Sequence, residues 1–403
     1  MKWEKVKLGE LYEVHNGLSK AGKFFGEGYP FLTFSTVFNN YFIPKQITDL
    51  VQSTEKEQES YSIRRGDVFV TRTSETSDEL GMSCVALKDY PMATYNGFTK
   101  RMRPITNRVF PEYIGYYMRL PSFRGEFRAF STMTTRASLR NEDLLGLEVK
   151  LPSIEIQKQI AGILSTYDDL IENNQKQIKL LEEAAQRLYK EWFVDLHFPG
   201  HENTKIVDGV PEGWSKSTVS EVSAVLRRGI SPKYNEKARG IVINQKCIRQ
   251  TIVSYDEART QEKKYPAELE MMESDIVICS TGAGTLGRVG QIFEAKENAT
   301  LDSHVTLIRA DEKIGQQSLF WSLKMKQDYL MNAGKGSTNQ LELSRETIGN
   351  CKILIPERKI AEQAEKNFVA IHNKMKECSM QIARLREARD LLLPKLMSGE
   401  VEV

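Results

Sequence analysis

Three glycines in the second half of the chain, Gly282, Gly284 and Gly287, have the spacing of a dinucleotide-binding motif and follow a strand-like segment at 275–280. Such a motif binds phosphates only where a helix follows, because the amino end of that helix faces the ligand. The next segment, 289–293, instead has the composition of another strand. We therefore expect a loop between two strands, in which the glycines either let the backbone approach a ligand closely or form a tight turn.

Other residues that could bind phosphate or metal also lack the necessary context. The segment 334–338, Gly-Lys-Gly-Ser-Thr, has no upstream glycine of a phosphate-binding loop and is predicted to be a flexible basic loop. His197 and His201 are four residues apart, but Pro199 and Gly200 interrupt the helix that would place both imidazoles on one face. These patterns argue against a nucleotide site and against a metal pair.

Motifs for covalent chemistry are missing from the sequence too. It contains no Asn-Pro-Pro-Tyr or Asp-Pro-Pro-Tyr motif for amine methylation, and no spacing that supports a Ser-His-Asp triad. Its five cysteines form no Cys-x-x-Cys pair, which argues against a zinc site and a disulfide framework and predicts buried thiols. We therefore expect a chain that is not an enzyme and that binds no cofactor or metal itself.

The composition is typical of a protein with two or more globular domains. The chain has 403 residues, of which 27% are charged and 40% hydrophobic. No run of 18 apolar residues occurs and the first five residues do not resemble a signal peptide, so a cytoplasmic protein without membrane contact is expected. The net charge is only +2, so any nucleic-acid site must depend on a local excess of basic residues.

Two segments have such an excess. Segment 99–140 contains nine basic and two acidic residues, and segment 226–250 contains seven basic residues and one acidic residue. Either segment alone could be ordinary solvated surface. Because each half of the chain has one, interleaved with aromatic, Ser, Thr and Asn residues, the pair favours contacts with phosphates and bases.

The elements that must position these segments form an internal repeat. Apolar residues recur at spacings of three and four, interrupted only by Asn174, at Ile156, Ile160, Leu164, Tyr167, Ile171, Ile178, Leu181, Ala185, Leu188 and Trp192. The same stripe recurs 204 residues later, interrupted only by Arg389, at Ile360, Ala364, Phe368, Ile371, Met375, Cys378, Ile382, Leu385, Leu392 and Leu396. We interpret the stripes as a duplicated coiled-coil helix. Each would be about 55 Å long, too long for the core of one compact domain, so the two helices are expected to pack on each other.

Asn174 and Cys378 occupy corresponding positions in the two stripes. In an antiparallel pair they should lie near the pseudo-twofold axis and could touch, with Asn174 fixing the register. The alternative is that Asn174 faces water or a partner subunit.

The regions that precede the helices also repeat. Segment 139–152 matches 343–356 at the same offset, and the strand-like segment 66–71 matches 274–279 at a slightly different one. Each half is therefore expected to be an α+β domain followed by one long helix. The predicted organisation is a first globular domain at 1–152, a long central helix at 153–194, a linker at 195–213, a second globular domain at 214–356 and a long C-terminal helix at 357–397.

This organisation resembles the DNA-specificity subunit of type I restriction-modification enzymes over essentially the whole chain. Local features contribute to the resemblance: Leu-Pro at 151–152 followed by Gln157 and Gln159, Pro-Glu-Gly-Trp at 211–214, and Leu-Leu-Leu-Pro-Lys-Leu-Met-Ser-Gly at 391–399. The first helix departs from the family at 154–157, Ile-Glu-Ile-Gln, where a Glu-Gln pair is frequent. The second domain is much more glycine-rich at 281–287 than the first is at 71–75, so the two domains should read different sequences.

The resemblance implies a fold and a mode of action. Two α+β target-recognition domains would be separated by two long helices packed as an antiparallel coiled coil, with pseudo-twofold symmetry. Each domain would read one half of a bipartite site in double-stranded DNA, and the helices would set the half-site spacing, at most about 16 base pairs for a rod of this length.

The resemblance also implies partners. The helices would dock two methyltransferase subunits, and two restriction subunits would join the same assembly. S-adenosylmethionine would belong to the methyltransferase, into which the target adenine is turned out of the duplex, and ATP and Mg would belong to the restriction subunit. The alternative is a stand-alone DNA-modifying enzyme, a methyltransferase or nuclease with an unrecognised catalytic site. Binding of S-adenosylmethionine by the isolated chain would separate the two interpretations.

The candidates for DNA contact are loop residues beside corresponding strands, where Arg or Lys could read guanine and Asn or Gln adenine. In the first domain they are Lys20, Lys23, Arg72, Thr73, Ser74, Thr135 and Arg136. In the second domain they are Arg227, Arg228, Lys233, Tyr234, Thr281, Lys335, Ser337, Thr338 and Asn339. Any one of them could instead be a solvated loop residue.

Overall fold

A computed structural model describes residues 3–74, 80–129, 137–282, 284–334 and 341–403. The chain forms two compact units. Unit 1 comprises Met1–Glu172 and Ala383–Val403, and unit 2 comprises Asn173–Ile382. Each long helix therefore contributes one part to each unit. None of the described helices is long and apolar enough to cross a membrane.

The first half of the chain mixes short strands and helices before the first long helix. Its strands are β1 (Glu4–Lys7), β2 (Tyr12–Asn16), β3 (Phe25–Leu32), β4 (Leu50–Val51), β5 (Val68–Thr71), β6 (Thr73–Ser74), β7 (Ser83–Val85), β8 (Thr94–Tyr95), β9 (Thr99–Pro104), β10 (Ala137–Ser138) and β11 (Glu148–Leu151). Its helices are α1 (Leu8–Leu11), α2 (Phe34–Asn39), α3 (Glu55–Ser60), α4 (Pro111–Tyr117), α5 (Pro121–Ala129), α6 (Asn141–Gly146) and α7 (Ile154–Tyr189). A π-helical turn, Lys190–Val194, ends the first long helix.

The second half repeats this arrangement. Its strands are β12 (Ile206–Val207), β13 (Val210–Pro211), β14 (Ser215–Thr218), β15 (Ser223–Arg228), β16 (Gly240–Ile243), β17 (Arg259–Gln261), β18 (Ile276–Cys279), β19 (Val289–Gln291), β20 (Ala299–Leu301), β21 (Val305–Ala310) and β22 (Lys352–Ile355). Its helices are α8 (Gln316–Lys324), α9 (Gln327–Asn332), α10 (Arg345–Gly349) and α11 (Arg358–Ser398).

The sheets of the two domains correspond strand by strand. A four-stranded sheet has the order β2-β9-β5-β7 in the first domain and β15-β21-β18-β19 in the second. A three-stranded sheet has the order β4-β3-β8 in the first and β17-β16-β20 in the second, and in each the second pairing is parallel. The antiparallel pair β1-β11 likewise corresponds to β14-β22. The expected α+β repeat is therefore confirmed at the level of topology.

In each four-stranded sheet one of the two inner strands, β5 in the first domain and β18 in the second, lies between two hydrophobic clusters. In β5, Val68 and Val70 pack into one cluster and Phe69 into the other. In β18, Ile276 and Ile278 pack into one cluster and Val277 into the other. Because successive side chains of a strand point to opposite faces, a strand buried on both faces must be apolar throughout. This requirement explains the continuous apolar runs in the sequence.

An equivalent buried Asp–Arg ion pair occurs at the four-stranded sheet of each domain. Asp67 is paired with Arg103 through two hydrogen bonds, from Nε to Oδ1 at 2.8 Å and from Nη2 to Oδ2 at 2.6 Å. Asp275 is paired with Arg309 through the same two contacts, at 2.6 and 2.8 Å. Each Asp follows a residue with positive φ, +89° at Gly66 and +69° at Ser274. The pairs define which positions of the two domains are equivalent.

In unit 1, the start of the first long helix and the end of the second pack into one core. Ile160 and Leu164 from the first helix and Leu393 and Leu396 from the second belong to the same buried cluster. Arg389, the polar interruption of the second stripe, donates from Nη1 to Asp168 Oδ1 at 2.5 Å. Asp168 also accepts from Tyr116 Oη at 2.5 Å. The interruption is therefore an ion pair between the two helices that also contacts the first domain.

In unit 2, the end of the first long helix meets the start of the second. Ala185 and Tyr189 share a cluster with Ile360, Ala364 and Phe368. The start of the first helix therefore packs with the end of the second in unit 1, and the end of the first packs with the start of the second in unit 2. The two helices run antiparallel, as expected.

Asn174 and Cys378 are both buried, at 6% and 1% exposed, which rules out that Asn174 faces water. Cys378 Sγ lies 3.7 Å from Gln177 Oε1, within one turn of Asn174. The two stripe positions therefore lie inside the seam between the helices, as the antiparallel interpretation requires.

Met325 and Lys326 separate the short helices α8 and α9 of the second domain. The α-helical part of the first long helix ends at Tyr189, and the π-helical turn that continues it contains Trp192, the last residue of the stripe. Trp192 and Phe193 are nevertheless buried in the core of unit 2, so the stripe correctly identified the apolar face.

Candidate nucleic-acid interface

Several basic residues of the segment 99–140 are buried in the first domain or hydrogen-bonded within it. Lys100 and Arg101 are only 6% and 3% exposed. Arg103 belongs to the buried pair described above, and Arg119 donates to three backbone carbonyl oxygens at 2.6 to 2.8 Å. Burial lowers the pKa of Lys100, and the charge of Arg72 lowers it further. For these four residues the interpretation as phosphate contacts is wrong, because a charge count does not distinguish internal from exposed cations.

The basic segment at 226–250 is different, since its cations lie at the surface. Arg227 and Lys233 are about half and three-quarters exposed, and they pair with Glu268 and Glu262. Arg228 pairs with Glu342 and also donates to the Ser280 carbonyl oxygen at 3.3 Å. Exposed ion pairs contribute little to stability, so these cations can exchange a carboxylate for a phosphate at low cost.

Lys20 and Lys23 flank the ring of Phe24 in the first domain, with each ammonium nitrogen just over 5 Å from its centre. Lys20 is largely buried and is held by the carbonyl oxygen of Gln52 at 2.7 Å and by Glu57 at 2.8 Å. Lys23 is exposed. Of the two candidates, Lys23 is therefore the one available for a ligand.

Arg72 lies at the end of the central strand of the first sheet. Its Nη1 donates to Asn16 Oδ1 at 3.3 Å, on the neighbouring part of the sheet. Thr73 and Ser74 follow as a two-residue strand paired with Ala137 and Ser138. Arg72, Thr73 and Ser74 therefore lie at one edge of the domain, where β5 ends, and their contact with DNA stays a prediction.

Thr281 occupies the corresponding edge of the second domain. Its Oγ1 lies 2.6 Å from His304 Nδ1 and 3.4 Å from Gln245 Oε1. The glycines that follow do not open a helix: β19 comes next, so the expected loop between strands is confirmed. Gly287 has a φ of +75°, and a Cβ there would lie 2.4 Å from the backbone nitrogen of Met331. Glycine is required at 287 by this close approach, and the dinucleotide interpretation has no structural support.

Six candidates lie outside the described residues and are neither placed nor excluded. They are Thr135, Arg136, Lys335, Ser337, Thr338 and Asn339. Among the residues that the structure does describe, no three His, Cys, Asp or Glu side chains form a group that could hold a metal ion.

A polar cleft of about 330 Å³ opens beside Thr281 and contains residues that sequence reasoning missed. Its lining combines the candidate Tyr234 with Asn244, Gln245, Lys246, Arg259 and His304, and it also contains three acidic residues, Asp256, Glu257 and Asp302. The guanidinium carbon of Arg259 lies 3.4 Å from the centre of the Tyr234 ring, so an exposed tyrosine and an arginine form one stacked surface. Amide, guanidinium and imidazole groups are those that hydrogen-bond to base edges. No local pattern in the sequence signals this cleft, because its residues come from four separate segments.

The strand registers match the two edges position by position. Arg103 pairs with Glu13 across the first sheet, and its equivalent Arg309 pairs with Val225 across the second. Asn16 and Arg228 each lie three residues after these partners, so they occupy equivalent positions. The buried Asp67 and Asp275, which directly precede β5 and β18, are equivalent, and the two strands pair with β9 and β21 in the same register. Arg72 and Ser280 each lie five residues after that Asp and are therefore equivalent, as are Thr73 and Thr281. The backbone framework is therefore shared, whereas the side chains at its edge differ.

A family model described as the type I restriction modification DNA specificity domain matches the chain twice, at residues 1–183 and at residues 211–372. The chain belongs to this specificity-subunit family. The second match begins at the Pro-Glu-Gly-Trp sequence where the repeat restarts. The expected family, its two recognition domains and its role as a DNA-recognition subunit that is not itself an enzyme are confirmed.

Specificity subunits of two organisms match over nearly their whole length. The chain is 26% identical over 418 residues to the type I restriction enzyme MjaIX specificity subunit of Methanocaldococcus jannaschii, covering 100% of this chain and 94% of the relative. It is 24% identical over 479 residues to the HindI specificity subunit of Haemophilus influenzae, covering 99% of each. The crystal structure of a type I S subunit from M. genitalium has a TM-score of 0.57 at 16% identity, over 98% of this chain and 96% of that one, and supports the fold.

Proposed function

We propose that each globular domain of this specificity subunit reads one half of a bipartite site in double-stranded DNA. The observation that carries the proposal is the pair of equivalent domain edges, which share their strand register but differ in side chains. Two half-sites of different sequence require domains that share the same strands but carry different base-contacting side chains.

The first edge would read its half-site with Arg72 and Asn16, assisted by Lys23. A guanidinium can donate two hydrogen bonds to guanine, and an Asn amide can bond to the adenine edge. The second edge would use the cleft, where Gln245 and Asn244 are the adenine-reading type and Arg259 the guanine-reading type. Arg227 and Lys233, paired only at the surface, would contact phosphates.

Membership in a type I specificity family implies DNA and further subunits as partners. We propose that the two long helices dock two methyltransferase subunits and set the spacing between half-sites, and that two restriction subunits join the assembly. S-adenosylmethionine would be bound by the methyltransferase, and ATP and Mg by the restriction subunit, while this chain binds none of them. An assembly that modifies genomic DNA would act in the cytoplasm.

The direct test maps adenine methylation across the source genome with and without this gene. We expect the gene to account for a motif of two specified halves separated by unspecified bases. A contiguous motif, or an unchanged methylation pattern, would contradict the proposal. Equilibrium dialysis of the isolated chain with S-adenosylmethionine should show no binding; stoichiometric binding would instead support a stand-alone methyltransferase.

A further inference from the structure

Each recognition domain has a four-residue turn that leads into a strand of its main sheet, β9 in the first domain and β21 in the second, and the last residue of the turn is the first residue of that strand. The turns are 96–99, Asn-Gly-Phe-Thr, and 302–305, Asp-Ser-His-Val; we call them the tip turns. In the first, Asn96 Oδ1 accepts a hydrogen bond from the Phe98 amide at 2.6 Å. In the second, Asp302 Oδ1 accepts from the His304 amide at 2.9 Å. The two turns are thus closed by the same side-chain-to-backbone bond.

The tip turns are also anchored in the same way. The Phe98 carbonyl oxygen accepts from the Arg72 amide at 3.0 Å, and the His304 carbonyl oxygen accepts from the Ser280 amide at 2.8 Å. A glycine packs against each turn: a Cβ at Gly17 would lie 2.1 Å from the Asn96 carbonyl oxygen, and one at Gly229 would lie 2.2 Å from that of Asp302. Residues 98 and 304 are therefore equivalent and are held on rigid backbone.

The side chains at these positions differ in chemistry. Phe98 is 59% exposed, which makes it the most exposed phenylalanine among the residues that the structure describes. His304 is also exposed, and its Nδ1 lies 2.6 Å from Thr281 Oγ1 at the edge of the polar cleft. Within the part of the chain that the structure describes, neither ring belongs to a buried cluster of its domain.

The surroundings of Phe98 indicate what it contacts. The Phe98 carbonyl oxygen accepts from the Arg72 backbone amide, and the Arg72 guanidinium donates to Asn16 Oδ1. A basic environment with an amide, Asn16, fits a nucleic acid better than an apolar protein surface. In the major groove the one strongly apolar group is the C5 methyl of thymine.

We propose that residues 98 and 304 are equivalent base-contacting positions, one in each recognition domain. Phe98 makes apolar contact with the methyl group of a thymine in the first half-site, and His304 hydrogen-bonds to a base edge in the second. The proposal rests on the proposed function, because it assigns individual bases to domains that read separate half-sites.

The test removes one methyl group from the DNA and one ring from the protein. Once the methylated motif is known, each thymine of the first half-site is replaced in turn by deoxyuridine, which lacks only the methyl group. The dissociation constant is then measured for the specificity subunit assembled with its methyltransferase. For the unaltered protein, one replacement should weaken binding about fourfold, the effect expected for one buried methyl group.

The variant Phe98→Ala should bind the thymine site more weakly and should no longer distinguish thymine from deoxyuridine at that position. His304→Ala alters the equivalent turn of the other domain. It should weaken binding of the whole site, because it removes the proposed contact in the second half-site, but it should keep the full deoxyuridine response in the first half-site. Because Phe98 is exposed, the unfolding temperature of Phe98→Ala should be unchanged, which separates contact from folding.

Three results would overturn the proposal. The first is a first half-site in which no deoxyuridine replacement changes the affinity of the unaltered protein. The second is Phe98→Ala retaining the full response. The third is Phe98→Ala failing to assemble with the methyltransferase in gel filtration, which would make the ring a protein contact. None of these would affect the bipartite methylation map, so failure of this proposal and failure of the proposed function are distinguishable.

Discussion

Replacing Asp67 by Asn should destabilise the first recognition domain and leave the second unaffected. The carboxylate of Asp67 is fully buried and binds Arg103 at two points, with Arg103 only 16% exposed. It also accepts the backbone amide of Arg64 at 2.8 Å. Asn is nearly the same size, so the substitution removes the charge and creates no cavity. The guanidinium is then left buried without its counter-charge.

The expected loss is about 3 kcal/mol, the lower end of the range for breaking a buried ion pair. The lower end applies because the carboxamide oxygen of the substituted side chain can still accept one N–H and because Arg103 retains the Ser62 carbonyl oxygen at 2.9 Å. A loss of about 3 kcal/mol corresponds to an increase of roughly a hundredfold in the population of the unfolded domain.

Hydrogen exchange followed by mass spectrometry reads each domain separately. In Asp67→Asn, the amides of Val68–Thr71 should exchange roughly a hundredfold faster, while those of Ile276–Cys279 keep their rates. Asp275→Asn should give the converse pattern. Glu4→Gln, which breaks the exposed pair with Arg108, is the control and should cost at most about 1 kcal/mol. An effect of Asp67→Asn no larger than that of the control, or equal effects on both domains, would refute the reasoning.

Three further perturbations address the helices and their contacts. Arg389→Ala and Asp168→Ala remove the ion pair between the helices in unit 1; in a double-mutant cycle by denaturant unfolding their coupling should be about 1–3 kcal/mol, and additive losses would show that the pair contributes nothing. His372 is buried, and burial chiefly lowers its pKa to about 4 from 6.5, with Lys376 lowering and Glu273 raising it. The unfolded chain therefore binds the extra proton first, and stability of unit 2 should fall as pH drops from 6.5 to about 4; His372→Gln should lose this dependence, and an unchanged pH profile would contradict the assignment. Four residues inserted after Asn174 would lengthen the first helix by about 6 Å and nearly preserve its apolar face, so the methylated motif should gain one or two spacer base pairs; unchanged spacing in a folded, active subunit would show that the helices are not the ruler.

Local patterns in the sequence predict the helices well and their tertiary partners poorly. The spacing of three and four is a property of neighbouring residues, so the seam from Ile156 to Tyr189 is visible without a structure. The role of Arg389 is not visible, because Asp168 lies 221 residues away in the chain. A stripe shows where a polar residue interrupts the seam, but only the fold shows what it binds.

The same limit applies to the recognition surface. Arg72 and Thr281 could be proposed because each follows a recognisable apolar strand. The count of basic residues misassigned Arg103 because its partner Asp67 lies 36 residues away in the chain. Phe98 and His304 share no residue type, and their equivalence depends on strand register, a long-range property that a single sequence does not display.

The most direct test of the central claim is an exchange of one recognition domain. Residues 1–150 would be replaced by the corresponding domain of a relative with a different motif, the complex would be expressed with its methyltransferase, and adenine methylation would be mapped across the host genome. One domain for each half-site predicts that one half of the motif changes to that of the relative, while the other half stays the same. A motif in which both halves change together, or neither changes, would contradict the claim.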